Sequence, residues 1–269
     1  MVSQYQHKLF LWIEGYFPKR IVYYLLAKGL CSSVDQLYEG NTNEPNLNVV
    51  RIVFNGQDFV SEDPDNPFPT ETTVPALRLD DTSSGKSIWI RETWSIINYL
   101  EEVFPGTTAN NYREMWANDP VERAITQDVL GHLLSASEQG GIWLDNNAPF
   151  LTAFRQISDE EHSIGVGRRA RRAFEEHFKA AQEIAADNLE RTGWLTPAAD
   201  GGPGMADVNL AAMVRHTEDA WSEFVIENDV LEPLRQWYKK YQTVWFWHEL
   251  EETGRFPDML RRGEGSVQK

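Results

Sequence analysis

The stretch TTVPALRL, residues 72–79, would read as a buried strand if it did not carry a proline near its centre. Pro75 has no backbone N–H to give to a strand ladder, and proline is confined to the starts and edges of strands. Two interpretations fit. Either Pro75 is a trans loop proline that precedes a strand, or the Val74–Pro75 bond is cis and turns the backbone of Val74 outward. Taken alone, the stretch favours the loop proline, because only about 5–6% of bonds before proline are cis.

The segments on either side of this stretch alternate between strand and helix patterns. Up to Gly106 the chain predicts, in order, a strand, a helix, a strand, a polar loop with at most a short helix, a hairpin and a helix. This order predicts two parallel strands followed by an antiparallel hairpin, which gives a four-stranded mixed α/β sheet. The segments are KLFLWI (8–13), PKRIVYYLLAKGL (18–30), NVVRIVF (48–54), NGQDFVSEDPDNPFPTETT (55–73), VPALRLDD (74–81) with SIWI (87–90), and ETWSIINYLEEVFPG (92–106).

Beyond this point the sequence is almost entirely helical in pattern. Asp119 and Pro120 are suited to the N-cap and first position of a long helix. Further helical segments follow at residues 167–193, 205–221 and 232–252. We therefore divide the chain into an α/β domain of residues 1–106 and an all-helical domain of residues 107–269.

Charge and composition exclude several classes of function. The formal net charge of −16 disfavours a general nucleic-acid or anionic-membrane binder, because both need a broad cationic surface. The dense basic run RRARR, residues 168–172, is interpreted as the solvated face of a helix. With Cys31 as its single cysteine, the chain can form neither an internal disulfide nor a cysteine metal cluster, and we assign no metal site. No segment has the ~20 apolar residues of a membrane span, so we expect a soluble, cytoplasmic protein.

Three passages, in this order along the chain, resemble the soluble glutathione transferase family. They are VPALRLDDTSSGKSIWIRETWSIINYLEEVFPG (74–106), DPVERA (119–124) and GWLTPAADGGPGMADVNLAAMV (193–214). The resemblance implies a thioredoxin-like N-terminal domain followed by an all-helical glutathione-transferase C-terminal domain, with glutathione bound between them. It also implies a homodimer. Asp207 matches the helix-capping aspartate of the family, but its usual Ser or Thr partner is Gly204 here.

The resemblance implies where glutathione would bind. In this family the proline matching Pro75 is cis, and the residue before it, here Val74, offers its backbone N–H and C=O to the cysteinyl part of glutathione. Glu92 and Thr93 match an acidic-hydroxyl pair at the start of a helix, where the γ-glutamyl carboxylate and ammonium groups would be held. On its own this pair favours an ordinary helix cap.

The residue that would activate the sulfur departs from the family pattern. Most members carry Tyr, Ser or Cys just after the first strand, but Gly15 occupies the Ser or Cys position here. The neighbouring Tyr16 is our candidate catalytic donor to the thiolate, and a backbone N–H or a water is the alternative. Either is feasible: lowering a thiol pKa from ~8.5 by two units takes about 2.7 kcal/mol, which a helix N-terminus plus one donor can contribute.

The loop before Val74 also departs from the family, since it is longer than usual. The residue that would meet the glycyl carboxylate is not obvious in it, and Gln57 and Asn66 are the candidates. Either could donate its side-chain amide to a carboxylate.

The sequence therefore predicts an enzyme that adds the glutathione thiolate to a small, apolar electrophile, in a specialised biosynthetic role of the kind found among fungal relatives. Reversal of the same addition would make it a glutathione-dependent cis-trans isomerase. The missing Ser or Cys leaves open a non-catalytic interaction module. The second substrate is expected against the helix of Gln127, Asp128 and His132, together with Tyr16 or Trp12.

Overall fold

The computed structural model describes residues 4–55, 58–70, 72–106, 110–147, 159–221 and 224–252. The chain divides into two compact units. The first comprises Met1–Met115 with Trp245–Gly254, and the second comprises Trp116–Val244 with Arg255–Lys269.

A five-stranded mixed sheet forms the centre of the first unit. Its strands lie in the order β3-β2-β1-β4-β5, with β1 parallel to β2 and all other neighbours antiparallel. The four predicted strands are present. The fifth, β3, was predicted as loop, which was wrong: its three residues pair with the end of β2 inside a polar segment that carries no strand pattern. The strands are β1 (Tyr5–Leu11), β2 (Leu47–Phe54), β3 (Phe59–Ser61), β4 (Ala76–Asp81) and β5 (Ser87–Ile90).

Within the described ranges, four helices accompany this sheet: α1 (Tyr16–Lys28), α2 (Val34–Tyr38), α3 (Thr93–Val103) and α9 (Trp247–Glu252). Helix α1 ends as predicted, because Gly29 adopts the left-handed conformation at φ +87° and donates its N–H to the carbonyl of Leu26.

A buried ion pair joins the C-terminal halves of α1 and α3. Lys28 Nζ lies 2.8 Å from Glu101 Oε2, and their side chains are 0% and 5% exposed. The hydroxyl of Tyr24 donates to the same carboxylate oxygen at 2.7 Å, and the N–H of Met115 donates to the other at 2.8 Å. The two helices start from the same end of the sheet and are joined at their C-terminal halves. Their N-termini therefore both lie at that end of the sheet.

The second unit is built from helices. They are α4 (Pro120–Asn147), α5 (Ile164–Ile184), α6 (Ala186–Thr192), α7 (Met205–Trp221) and α8 (Glu232–Tyr241), with 3₁₀ turns at Asp159–Glu161 and Asp229–Leu231. Asp119 caps α4 as predicted, accepting from the N–H groups of Val121 and Glu122 at 2.8 and 3.1 Å. The helix predicted over residues 167–193 is two helices, α5 and α6, because α5 ends at Ala185, where the backbone ψ angle is 5°. The arginines of the RRARR run are exposed on α5.

Helix α7 forms the core of this unit, and Asp207 fixes its first turn. The carboxylate is fully buried and accepts four hydrogen bonds: Oδ1 from the N–H of Leu195 and from Trp237 Nε1, both at 2.7 Å, and Oδ2 from the N–H groups of Thr196 and Gly204 at 3.2 and 3.0 Å. Burial raises the pKa of Asp207, and these donors oppose the rise. The chain segment 194–196 and helix α8 are thereby held against the start of α7.

The missing capping hydroxyl at Gly204 has a structural reason. A Cβ at this position would lie 1.9 Å from the carbonyl oxygen of Thr196, so no side chain fits there. Thr196 instead supplies the cap from across the turn, because its Oγ1 accepts from the N–H of Ala206 at 3.3 Å. The reciprocal cap that looked incomplete in the sequence is completed by a residue ten positions from Ala206.

Among the helices described in both units, none combines the length and the apolar character that crossing a membrane would require.

Candidate functional site

The predicted site residues of the first unit converge on one end of its sheet. Antiparallel pairing sets Ala76, the first residue of β4, beside Phe10 near the carboxyl end of β1. It also sets Leu77 beside Ile90, the last residue of β5. The segment that enters β4 therefore lies at the same end of the sheet as the loops that lead from β1 into α1 and from β5 into α3. Val74, Tyr16 and Thr93 belong to these three segments.

The backbone of Val74 is available for pairing. The Val74–Pro75 peptide bond is cis, as the resemblance implied and against the interpretation that the local stretch favoured. Pro75 is buried, whereas Val74 is half-buried. Within the described part of the chain, neither the N–H nor the C=O of Val74 has a hydrogen-bond partner. An extended peptide can pair with such an edge by strand addition.

The N-terminus of α3 is arranged to receive a carboxylate. Glu92 is the N-cap residue, but its side chain makes no capping bond, and the first turn contains no acidic residue. The first backbone bond of the helix runs from the N–H of Ile96 to the carbonyl of Glu92, so the earlier N–H groups point out of the helix end. Free N–H groups and the helix dipole together make an anion site.

The two side chains predicted to assist binding at α3 are unengaged. Thr93 is 8% exposed, and no described residue forms a hydrogen bond with its hydroxyl. Glu92 is exposed and has no ion-pair partner in the described ranges. The interpretation as a plain capping pair is not supported, because the side chain of Glu92 makes no capping hydrogen bond.

The N-terminus of α1 lies at the same end of the sheet. Its cap residue, Gly15, has no side chain to cap with, and the first turn again has no acidic residue. The N–H of Phe17 has no partner among the described residues. A Cβ at Gly15 would lie 2.8 Å from Cε3 of the Trp12 ring, so a Ser or Cys here would require that ring to move. Glycine at position 15, where the family carries Ser or Cys, therefore leaves room for the Trp12 ring.

Tyr16 is the first residue of α1 and is half-buried. Its ring lies 4.9 Å from the guanidinium carbon of Arg20, and the ring of Phe17 lies 5.2 Å from the same atom. Arg20 is only 1% exposed. Burial lowers the pKa of Arg20, and interaction with the Tyr16 hydroxyl opposes this shift. The Tyr16 hydroxyl oxygen is itself buried beside this cation, and its contact with a ligand stays a prediction.

The structure describes one of the two residues that were predicted to contact the glycyl carboxylate of glutathione. Gln57 lies outside the described residues. Asn66 is engaged in an internal network, since its Oδ1 accepts from Lys8 Nζ and from Arg78 Nη2, the latter at 2.6 Å, and its Nδ2 donates to Asp63 Oδ2 at 2.6 Å. Its amide therefore serves the loop that precedes β4.

Sequence reasoning missed a polar group just before α1. The Tyr38 hydroxyl donates to Glu14 Oε1 at 3.1 Å. The guanidinium carbon of Arg51 lies 5.0 Å from the centre of the Tyr38 ring, and Arg51 Nη1 lies 2.8 Å from Glu62 Oε2. Burial raises the pKa of Glu14. The position of Glu14, between the apolar first strand and the predicted start of α1, was the available signal.

The residues predicted to line the pocket of the second substrate belong partly to the other unit. On α4, Gln127 and Asp128 are exposed and His132 is half-buried. The Nδ1 atom of His132 lies 3.1 Å from that of His177 on α5. The assignment of this helix to a substrate pocket stays a prediction.

Comparison with solved structures shows which fold this chain has. No protein-family model matches the chain, and no curated protein matches its sequence. Among similar structures is a glutathione S-transferase from Methylobacillus flagellatus KT with glutathione bound, at 12% identity and a TM-score of 0.59, covering 92% of this chain and 98% of that one. Maleylacetoacetate isomerase from Anaeromyxobacter dehalogenans 2CP-1 matches at 15% identity and a TM-score of 0.57, covering 99% and 98%. The β-etherase LigF from Sphingobium sp. strain SYK-6 matches at 19% identity and a TM-score of 0.54, covering 92% and 99%.

Proposed function

We propose that this chain, which has the glutathione transferase fold, is an enzyme that binds glutathione and adds its thiolate to a small, apolar electrophile. One observation carries the proposal. The unpaired backbone of Val74 and the uncapped N-terminus of α3, with the unengaged hydroxyl of Thr93, lie at the same end of one sheet.

Glutathione fits this arrangement by its chemistry. It is an extended peptide with a carboxylate and an ammonium group at its γ-glutamyl end and a thiol in its middle residue. The cysteinyl backbone would pair with the N–H and C=O of Val74, beside the buried Pro75. The γ-glutamyl carboxylate would accept from the first N–H groups of α3 and from the Thr93 hydroxyl, and Glu92 would face the ammonium group. In this arrangement each charged group of the γ-glutamyl end meets a group of opposite polarity.

The thiol would be activated at the start of α1. The N-terminus of a helix stabilises an anion by up to ~2 kcal/mol, and a hydrogen bond to a charged group contributes about 1.5–3 kcal/mol. Together these match the roughly 2.7 kcal/mol needed to lower a thiol pKa by two units. The N–H of Phe17 contributes to the helix field, and the hydroxyl of Tyr16, supported by the Arg20 cation, is the proposed donor.

Two net reactions follow from one step. The thiolate attacks an electrophilic carbon, a C–S bond forms, and the electron pair passes to a leaving group or to a neighbouring unsaturated group. If the C–S bond is kept, the protein is a transferase. If a bond of the adduct rotates and the thiolate leaves again, the net result is cis-trans isomerisation. The structural similarity to maleylacetoacetate isomerase favours keeping this second candidate.

The test is a calorimetric titration with glutathione followed by a conjugation assay with a generic aryl halide, on the wild type and on Tyr16→Phe. We expect glutathione to bind both proteins with similar affinity, and kcat of Tyr16→Phe to fall about tenfold, because one hydrogen bond to the thiolate is lost. An unchanged kcat would assign activation to the backbone of α1 alone. Binding without conjugation would point to a narrow substrate range or to the isomerase. No binding would contradict the proposal and favour a non-catalytic module.

Three further assignments come from the sequence alone and remain predictions. They are a homodimer, a cytoplasmic location and a role in a specialised biosynthetic pathway. Gln57 likewise remains a predicted contact of the glycyl carboxylate.

A further inference from the structure

Two histidines form a hydrogen bond to each other between the two long helices of the second unit. His132 lies on α4 and His177 on α5, and both are half-buried. Their Nδ1 atoms lie 3.1 Å apart, with the ring centres separated by 5.4 Å and the ring planes tilted by 47°. In a direct N–H···N bond of this kind one Nδ1 donates and the other accepts. The contact therefore requires that one of the two Nδ1 atoms carries no proton.

The residues one helical turn from the two histidines are mostly apolar. Phe174 and Ala181 on α5 are fully buried, as are Val129 and Ala136 on α4. The half-buried rings therefore lie beside a packed apolar interface between the helices. In such surroundings two like charges repel each other more strongly than they do in water.

The number of protons on the pair decides whether the contact can form. With both rings neutral, one Nδ1–H meets one lone pair. A first added proton binds the outer Nε2 of the donor ring and leaves that contact in place. A second added proton must bind the accepting Nδ1, so that two N–H groups and two positive charges face each other. The two rings therefore take up protons as a coupled pair.

We propose that His132 and His177 form an acid-sensitive latch between α4 and α5, which stays closed with one added proton and opens with the second. The opening removes the hydrogen bond and puts two like charges in its place. The contact between the two helices at this point is then weaker in acid than at neutral pH. Since free histidine titrates near pH 6.5, the latch responds to acidification below that value.

The charges that act on the latch come from both of its helices. Burial lowers the pKa of His177, the neighbouring His132 lowers it further, and the carboxylates of Glu176 on α5 and Glu138 on α4 oppose this shift. Asp128, one turn before His132 on α4, is exposed. Because the pKa of His177 in the folded protein lies below its ordinary value of 6.5, the stability that it contributes is present above pH 6.5 and is lost as the pH falls.

The first measurement follows the imidazole protons of the full chain by NMR between pH 8 and pH 5, without glutathione. The proteins are the wild type, His132→Gln and the control His248→Gln, and His177→Gln assigns the signal. His248 is exposed on α9 in the first unit. We expect the titration midpoint of His177 to move to higher pH in His132→Gln, because glutamine carries no positive charge, and to stay in place in His248→Gln. Equal midpoints in the wild type and His132→Gln would overturn the proposal.

The second measurement is urea unfolding of the wild type and of His177→Gln at pH 7.5 and pH 5. Burial also lowers the pKa of His7 in the first unit, so acid destabilises both proteins and their difference isolates the latch. We expect the ratio of folded to unfolded protein to fall about threefold more for the wild type, the size of an interaction between partly exposed charges. Equal falls in both proteins would also refute the latch. Neither measurement depends on the proposed glutathione chemistry.

Discussion

The variant Thr93→Val should bind glutathione about 10- to 100-fold more weakly than the wild type, because a hydrogen bond to a charged carboxylate contributes about 1.5–3 kcal/mol. Its free energy of unfolding should stay the same or rise slightly. The two side chains have nearly the same shape, and the Thr93 hydroxyl, 8% exposed, has no hydrogen-bond partner in the described part of the protein that the substitution would break. A loss of affinity without a loss of stability is the signature of a ligand contact.

The measurement is calorimetric titration with glutathione, together with urea unfolding of each protein. Thr93→Ser is the matched control, because it keeps the hydroxyl at the start of α3 and removes only a methyl group. We expect Thr93→Ser to bind within a few-fold of the wild type. Equal affinities for Thr93→Val and Thr93→Ser would show that the hydroxyl does not contact glutathione.

The second large effect is on stability. Asp207→Ala should lower the free energy of unfolding by about 4 kcal/mol or more, because four buried donors lose a charged acceptor at once. Three of these donors are backbone N–H groups and the fourth is Trp237 Nε1. No water can replace the carboxylate without entering a core in which Asp207 is 0% exposed. A loss of this size is a large part of the stability of an ordinary domain.

Urea unfolding followed by far-UV circular dichroism and by tryptophan fluorescence measures this loss. Asp187→Asn is the control, since Asp187 is exposed in the first turn of α6 and contributes mainly to the helix dipole interaction. We expect that variant to lose less than about 1 kcal/mol. A similarly small loss for Asp207→Ala would refute the role of its carboxylate as the anchor of the α7 start.

The sequence predicted those elements whose signals are local. Helix α1 carries Pro18 in its first turn and Gly29 at its end, and both act as their chemistry predicts. The β4–β5 hairpin has a turn-forming segment between two strand patterns. Helix α3 follows from the helical spacing of Ile96, Ile97 and Leu100. In each case the determining residues lie within one element.

The features that escaped prediction depend on partners distant in the sequence. Strand β3 is only three residues long and exists because the end of β2 offers it a ladder. The cap of α7 uses Thr196, which no local capping pattern includes. Asn66 is occupied by Lys8 and Arg78, which come from two different strands.

The residues of the candidate site likewise divide into those that could be placed from the sequence and those that could not. The resemblance placed Val74, Pro75, Glu92 and Thr93 in one site, and the strand register brings their segments to one end of the sheet. The role of Gly15 could not be judged from sequence, because it depends on the placement of the Trp12 ring. The facing of His132 and His177 depends on how two helices pack, which no short motif encodes.

The most direct measurement of the central claim is a crystal structure of this protein grown with saturating glutathione. It should show the cysteinyl N–H and C=O of the tripeptide paired with the C=O and N–H of Val74. The γ-glutamyl carboxylate should lie about 2.7–3.2 Å from the Thr93 hydroxyl and the first N–H groups of α3. Crystals in which Val74 and the start of α3 contact only solvent at saturating glutathione, or in which the tripeptide binds elsewhere, would contradict it.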